Sequence, residues 1–120
     1  MTQSEDDKVG AGILIRTLKK GTGTKHPQLD DYCLVHYEGF LENGTLLDSS
    51  RARQQPLKFQ VGAGHVMEGW EVAILHLVEG QEVEVTIPHL YAYGEQGYLP
   101  KIPPRSTLIF RMELLAITQE

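Results

Sequence analysis

The sequence predicts an α+β domain of five to six antiparallel strands packed on one short helix, and three observations predict it. Apolar residues recur at strand spacing through most of the chain, in 13–18, 32–38, 46–49, 57–61, 82–87 and 106–117. Only 67–78 carries a helical repeat, with Trp70, Ala73, Ile74 and Leu77 at i, i+3, i+4 and i+7. Asn43-Gly44 stands between Phe40-Leu41 and Leu46-Leu47, a pair suited to the positive φ angles of a tight hairpin, which folds the strand before it back on the strand after it.

Taken in order, residues 1–9 form a polar, acidic segment with Glu5, Asp6 and Asp7, read as flexible, and the single folded domain runs from Gly10 to Glu120. ILIRTL (13–18) and YCLVHYE (32–38) are strands, separated by a loop of Gly, Thr, Lys, His and Pro. LKFQV (57–61) alternates. In the helix, Glu68 and Glu71 suit the first turns, His76 the last, and Gly80 a C-terminal cap. EVEVTI (82–87) turns Val83, Val85 and Ile87 to one side and Glu82, Glu84 and Thr86 to the other. The last strand carries apolar residues on both faces, which predicts cover on both sides. The helix stripe has only the concave face of the sheet to pack on.

With 41% hydrophobic and 22% charged residues, the chain can bury one core without staples. Its single cysteine, Cys33, cannot form an internal disulfide and lies in an apolar alternating segment, where a buried thiol is expected. The N-terminus lacks a basic start followed by an apolar run, and no window approaches the ~18 apolar residues of a membrane span, so the expectation is a cytoplasmic protein without membrane contact. A net charge of -5 and the lack of a basic stripe interleaved with aromatics argue against nucleic acid. His26, His36, His65, His76 and His89 show no metal-ligand spacing with one another or with Cys33, so neither metal nor cofactor is expected. Gly62-Ala63-Gly64 imitates a dinucleotide-binding turn, with Glu82 and Glu84 downstream, but Met67 takes the third glycine position and the chain is too small for a doubly wound sheet.

The most informative segment is YAYGEQGYLPKIPPRSTLIFRMELL, residues 91–115. Gly94 and Gly97 allow sharp bends, while Pro100, Pro103 and Pro104 hold the loop extended and remove helix-forming donors. A loop stiffened in this way, with tyrosines over an apolar floor, gives up little entropy on binding and describes a shaped apolar recess. The order LVHYEGFLENGTLLDSSR, PLKFQVGAGHVMEGWEVAI and then this segment resembles the FKBP family, the tacrolimus-binding peptidyl-prolyl cis-trans isomerases, over roughly residues 13–117.

That resemblance implies a strongly twisted antiparallel sheet wrapped round the helix, and isomerase activity that needs no nucleophile, metal or cofactor. It implies proline-containing peptides and proteins, and macrolides such as tacrolimus and rapamycin, as partners of a monomer. It makes Trp70 the floor of the recess and Tyr37, Phe59, Val66, Met67, Ile102 and Phe110 its walls, although each is also a residue type that builds cores. Tyr93 becomes the hydroxyl donor to a bound carbonyl, with the Met67 amide as second donor. Asp48, beside Arg53 and Tyr37, reads as a carboxylate held in a polar rim network or as a solvated turn acid, and not as a general base, because amide rotation abstracts no proton. His65 falls at the rim, where its charge would make binding pH-sensitive.

The family commonly has Phe where this chain has Leu47 and Leu57, Ile where it has Met67 and Lys101, and frequently His where it has Tyr98. Leucine lacks a ring edge to meet carbonyl oxygens, Met trades preorganisation for adaptability, and Lys101 can snorkel outward with its stem still at the rim. The expected consequences are slow to moderate turnover and weakened macrolide binding. The competing reading is a catalytically weak binding or scaffold module of a co-chaperone that keeps the same fold.

Overall fold

The computed structural model describes residues 7–10 and 12–119. Seven strands form one antiparallel sheet: β1 (Asp7–Lys8), β2 (Leu14–Lys19), β3 (Tyr32–Leu41), β4 (Leu46–Ser49), β5 (Leu57–Gln60), β6 (Glu82–Ile87) and β7 (Leu108–Thr118). Across the sheet the order is β1-β2-β6-β7-β3-β4, and β5 pairs with the half of β3 that β4 leaves open, so seven strands fill six rows. β3 and β7 make the central pair, in register from Tyr32↔Thr118 to Leu41↔Leu108 with one shift between Leu34 and Val35. Strand pairing begins earlier than the expected start at Gly10, because Asp7 and Lys8 pair with Ile15 and Leu14. The rest of the expectation for the N-terminal segment, residues 1–6, lies outside the described residues.

Alternation decides which face is buried. Cys33 and Val35 on β3, Val83, Val85 and Ile87 on β6, and Leu108, Phe110, Met112 and Leu114 on β7 are all buried. Each such aliphatic side chain contributes about 1.5–3 kcal/mol on burial. The opposite face of β7 is not covered by a second layer, contrary to expectation: Ile109, Glu113 and Leu115 are half-buried and Arg111 is exposed. Ion pairs lace that face instead, with Glu84 held by Arg16 at 2.7 Å and Arg111 at 3.6 Å, and Glu113 by Arg51 and Lys19.

The single α-helix, α1 (Glu68–Ile74), seats Trp70, Ala73 and Ile74 in the concave face. Gly69 permits the approach, since a Cβ there would lie 2.5 Å from Cγ2 of Ile87. The helix is shorter than its apolar repeat predicts. It gives way to tighter i→i+3 bonds, from His76 N–H to the Ala73 carbonyl and from Leu77 N–H to that of Ile74. Leu77 still reaches the core, but His76 lies outside the helix and Gly80 is not its cap: the Gly80 amide donates to the Leu114 carbonyl at 2.7 Å. The hairpin between β3 and β4 also differs in detail. Glu42-Asn43 are its central pair, with Gly44 N–H donating to the Leu41 carbonyl, and only Gly44 takes positive φ, at 93°. Asn43 contributes its Oδ1, which accepts the Thr45 amide at 2.9 Å.

Candidate active site

Between α1, the β3–β4 edge and the loop after β6 opens a cavity of about 560 Å³. Its floor is Trp70, which helical spacing directs at the sheet. The indole meets Tyr37 edge-on at 5.0 Å and Phe110 at 5.3 Å, and Phe59 at 6.0 Å. Trp70 is 97% buried by these rings and its neighbours, yet it still forms part of the cavity lining. Its Nε1–H is buried without a hydrogen-bond partner among the described residues. Phe59 supports the indole and is not itself part of the lining, which corrects its expected role as a wall.

Two other lining residues carried no signal of their role in the sequence. Gly39 pairs with Phe110 across β3 and β7, and a Cβ on it would meet that ring at 2.7 Å. A glycine inside a strand often marks a close approach, and here the ring lies over the backbone in the space a side chain would fill. Ala92, at the end of the short 3-10 turn His89–Tyr91, lines the cavity with nothing in the sequence to distinguish it.

Leu47 of β4, Leu57 of β5, and Val66 and Met67 before α1 form the aliphatic walls. Glu71, in the first turns of α1, fixes the approach to Val66 and Met67. Its carboxylate accepts the Gly62 amide at 2.8 Å and the Gly64 amide at 3.2 Å. The Gly-Ala-Gly turn is therefore an anion cradle already filled by the protein's own carboxylate. The Met67 amide makes no hydrogen bond among the described residues, and Met67 lines the cavity.

At the rim, the Tyr37 hydroxyl donates to Asp48 Oδ2 at 2.6 Å, the Ser49 amide and Arg53 donate to Oδ1, and Arg53 also donates to the Tyr37 oxygen at 3.0 Å. Arg53 acts from outside the lining. Burial and the hydrogen bond to Asp48 push the Tyr37 phenol up. Burial alone would also raise Asp48, but the Tyr37 hydroxyl and the Arg53 charge overcome it and hold the carboxyl below the usual range. A carboxylate so engaged is a poor base and a good anchor.

The loop that closes the cavity is pinned as its glycines and prolines predict. Tyr98 and Ile102 exchange backbone bonds of 2.8 and 3.0 Å, and the Arg105 amide donates to the Gly94 carbonyl at 3.0 Å. Gly97 takes φ of 69°, where a Cβ would fall 2.4 Å from the Ile102 carbonyl oxygen. Tyr93 stands on this loop with its ring 5.4 Å from that of Tyr98 and its hydroxyl free of any hydrogen bond among the described residues. Burial, with the nearby Tyr98 and Asp48, raises its pKa and keeps it a donor. His65, Tyr98, Lys101 and Ile102 complete the lining, and Lys101 Nζ donates to the Leu47 carbonyl at 3.3 Å. Of the residues the sequence singled out, Phe59 and Arg53 stand behind the lining and the others meet in it.

The family profile for FKBP-type peptidyl-prolyl cis-trans isomerase matches residues 23–115. The chain belongs to that family. It is 41% identical over 106 residues to "FK506-binding protein 1" of Rhizopus delemar, covering 88% of this chain and 98% of that one. It is 40% identical over 109 residues to "FK506-binding protein 1" of Saccharomyces cerevisiae, covering 91% and 96%. Human "Peptidyl-prolyl cis-trans isomerase FKBP4" is 40% identical over 113 residues, 94% of this chain but 25% of that protein. Among solved structures, FkpA from Escherichia coli superposes with a TM-score of 0.85 at 32% identity, over 95% of this chain, which spans about half (52%) of FkpA. The twisted sheet on one helix is thus the FKBP fold, and the protein is a peptidyl-prolyl isomerase of that type.

Proposed function

We propose that this cavity accelerates rotation about Xaa-Pro bonds in peptides and folding proteins, and that it takes tacrolimus and rapamycin more weakly than an aromatic-walled cavity would. The observation that carries this reading is the juxtaposition of two free donors, the Tyr93 hydroxyl and the Met67 amide, with a floor of edge-packed aromatic rings.

Rotation of a prolyl amide must cross a barrier of ~18–20 kcal/mol, because the C–N bond loses its resonance on the way. The twisted amide is less polar than the planar one. An apolar recess lined by Trp70, Tyr37 and Phe110 therefore favours the twisted form over the planar form and grips the pyrrolidine ring meanwhile. Tyr93 and the Met67 amide fix the flanking carbonyls, and Asp48, locked by Tyr37 and Arg53, orients substrate without exchanging a proton. Each tenfold gain in rate needs ~1.4 kcal/mol, so three decades need about 4 kcal/mol, which shape and two hydrogen bonds can supply.

The weaker macrolide binding follows from Leu47 and Leu57, which present no ring edge, and from Met67, whose thioether chain must be ordered on binding. A proline-peptide isomerisation assay with calorimetry on tacrolimus tests both halves. Measurable acceleration with affinity weaker than nanomolar is expected. No acceleration at high enzyme concentration sinks the catalytic half and leaves the scaffold reading, and nanomolar affinity sinks the other.

A further inference from the structure

We propose that Lys101 makes this isomerase favour prolines flanked by an acidic side chain. The proposal rests on the isomerase reading and concerns which substrates the same cavity prefers.

Lys101 lies inside the backbone bridge between Tyr98 and Ile102, so its Cα is held by two hydrogen bonds and its side chain leaves from a fixed point on the rim. Its stem lines the cavity, and its ammonium reaches across to the Leu47 carbonyl of β4, at 3.3 Å. That acceptor is neutral and the bond is long. Among the described residues no carboxylate forms an ion pair with Lys101, and it is exposed. The other guanidinium or ammonium group at this rim, on Arg53, is already committed to Asp48 and Tyr37. Asp48 in turn has both oxygens engaged, so its charge is offset where it stands. The rim therefore carries one uncompensated positive charge beside apolar walls, in a chain that is otherwise acidic, at -5 overall.

An ammonium held by a long bond to a neutral carbonyl gains by exchanging it for a carboxylate, because the carboxylate adds the attraction of opposite charges to a shorter hydrogen bond. The amine reaches from the loop to β4 across the rim of the cavity, beside its apolar walls. A Glu or Asp next to the seated proline would meet it there. An isoleucine at this position, as the family commonly has, would offer such a residue only an apolar surface.

The test is kcat/KM on two peptide series, one with Glu, Gln or Leu before the proline and one with the same residues after it, all at one fixed pH. The wild type should favour Glu over Gln by about 1.4- to fivefold in one of the series, the range expected of an exposed ion pair. The side on which the preference falls identifies the position that Lys101 reads. Near 1 M salt, where the Debye length is about 3 Å, the preference should shrink towards one. Lys101→Met, which keeps the apolar stem, should bring the Glu/Gln ratio to one, and Lys101→Glu should invert it. A wild-type ratio at or below one in both series, with the Leu-Pro peptide still accelerated, overturns the charge preference alone. A ratio unchanged in Lys101→Met overturns the assignment to this residue. No acceleration of any peptide overturns the isomerase reading and this proposal together.

Discussion

Two cavities of the domain are of similar size and opposite chemistry. One, of about 560 Å³, is the aromatic-floored recess beside α1, and the other, of about 640 Å³, lies among Thr24, His26, Asp31, Glu79 and Gln119. In the second, Asp31, Glu79, His26 and Gln119 are already hydrogen-bonded within the protein. Asp31 accepts the Gln28 amide at 2.9 Å and the Gln119 side chain at 3.2 Å, Glu79 accepts the Ile117 amide at 2.7 Å, and His26 Nδ1–H donates to the Leu77 carbonyl at 2.9 Å. In the first, the walls are apolar, and the Tyr93 hydroxyl and the Met67 amide remain unspent among the described residues. Volume does not separate a ligand site from a structural cleft. Hydrogen-bonding groups left without partners over a desolvated floor do separate them, because only those gain a bond when a ligand arrives.

Trp70→Ala should produce the largest effect, because the floor is also core. Removing an indole packed by three rings costs ~3–5 kcal/mol of stability by urea denaturation, and kcat/KM should fall to near the uncatalysed rate. Retained turnover would mean that the aromatic floor is not where the proline sits. Asp31→Ala reads the opposite region. The loss of the carboxylate of Asp31, itself 7% exposed, removes the acceptor of the Gln28 amide and of the Gln119 side chain; both of those residues are exposed and can turn to water, so the cost should be about 0.5–1.5 kcal/mol while kcat/KM stays at the wild-type value. A parallel loss of turnover would put the two cavities in communication and break the division drawn here.

Much of this contrast was legible in the sequence, and what was not shares a cause. Alternation reports burial, so Val83, Val85 and Ile87 declared their face, and the glycines and prolines of 91–105 declared a stiff loop. Burial period cannot report which hydrogen bond the backbone makes. Trp70, Ala73, Ile74 and Leu77 are all buried, yet the helix ends at Ile74 and Leu77 follows on a tighter turn. Nor can it report pairing at long range. Gly39 matters because the register sets it opposite Phe110, and Gly62 and Gly64 matter because Glu71 returns to them from the helix. Phe59 and Arg53 have the right residue types in the right neighbourhood, but which side chain faces a cavity and which stands behind it depends on packing depth. The pairing of Asp7 and Lys8 leaves no trace in the sequence for a simpler reason, since two charged residues make no hydrophobic repeat.

Tyr93→Phe isolates the recess from the core. The hydroxyl has no partner to lose within the described protein, so the denaturation midpoint should not move, while loss of one substrate hydrogen bond, worth ~0.5–1.5 kcal/mol, should lower kcat/KM by about two- to twelvefold. A shift in stability with turnover intact would instead make the hydroxyl a structural group, like those of the polar cleft.

The smallest effect concerns a carboxylate of the recess that, like those of the polar cleft, is satisfied internally. Asp48 has its folded pKa lowered from 3.8, against a burial penalty, by the Tyr37 hydroxyl and the Arg53 charge. The unfolded chain therefore binds a proton more readily than the folded one as pH falls. The stabilisation is fully present above the unfolded value near pH 4 and is lost as pH drops through the lower, folded value. With 48% of the side chain exposed, solvent screening keeps that contribution small. The stability difference between wild type and Asp48→Asn, followed by urea denaturation from pH 5 to pH 2, should favour the wild type slightly at pH 5 and narrow on acidification. A difference that stays constant over this range would mean that the carboxylate gains nothing from its charge, and that the Tyr37–Asp48–Arg53 network is held by hydrogen-bond geometry that asparagine reproduces.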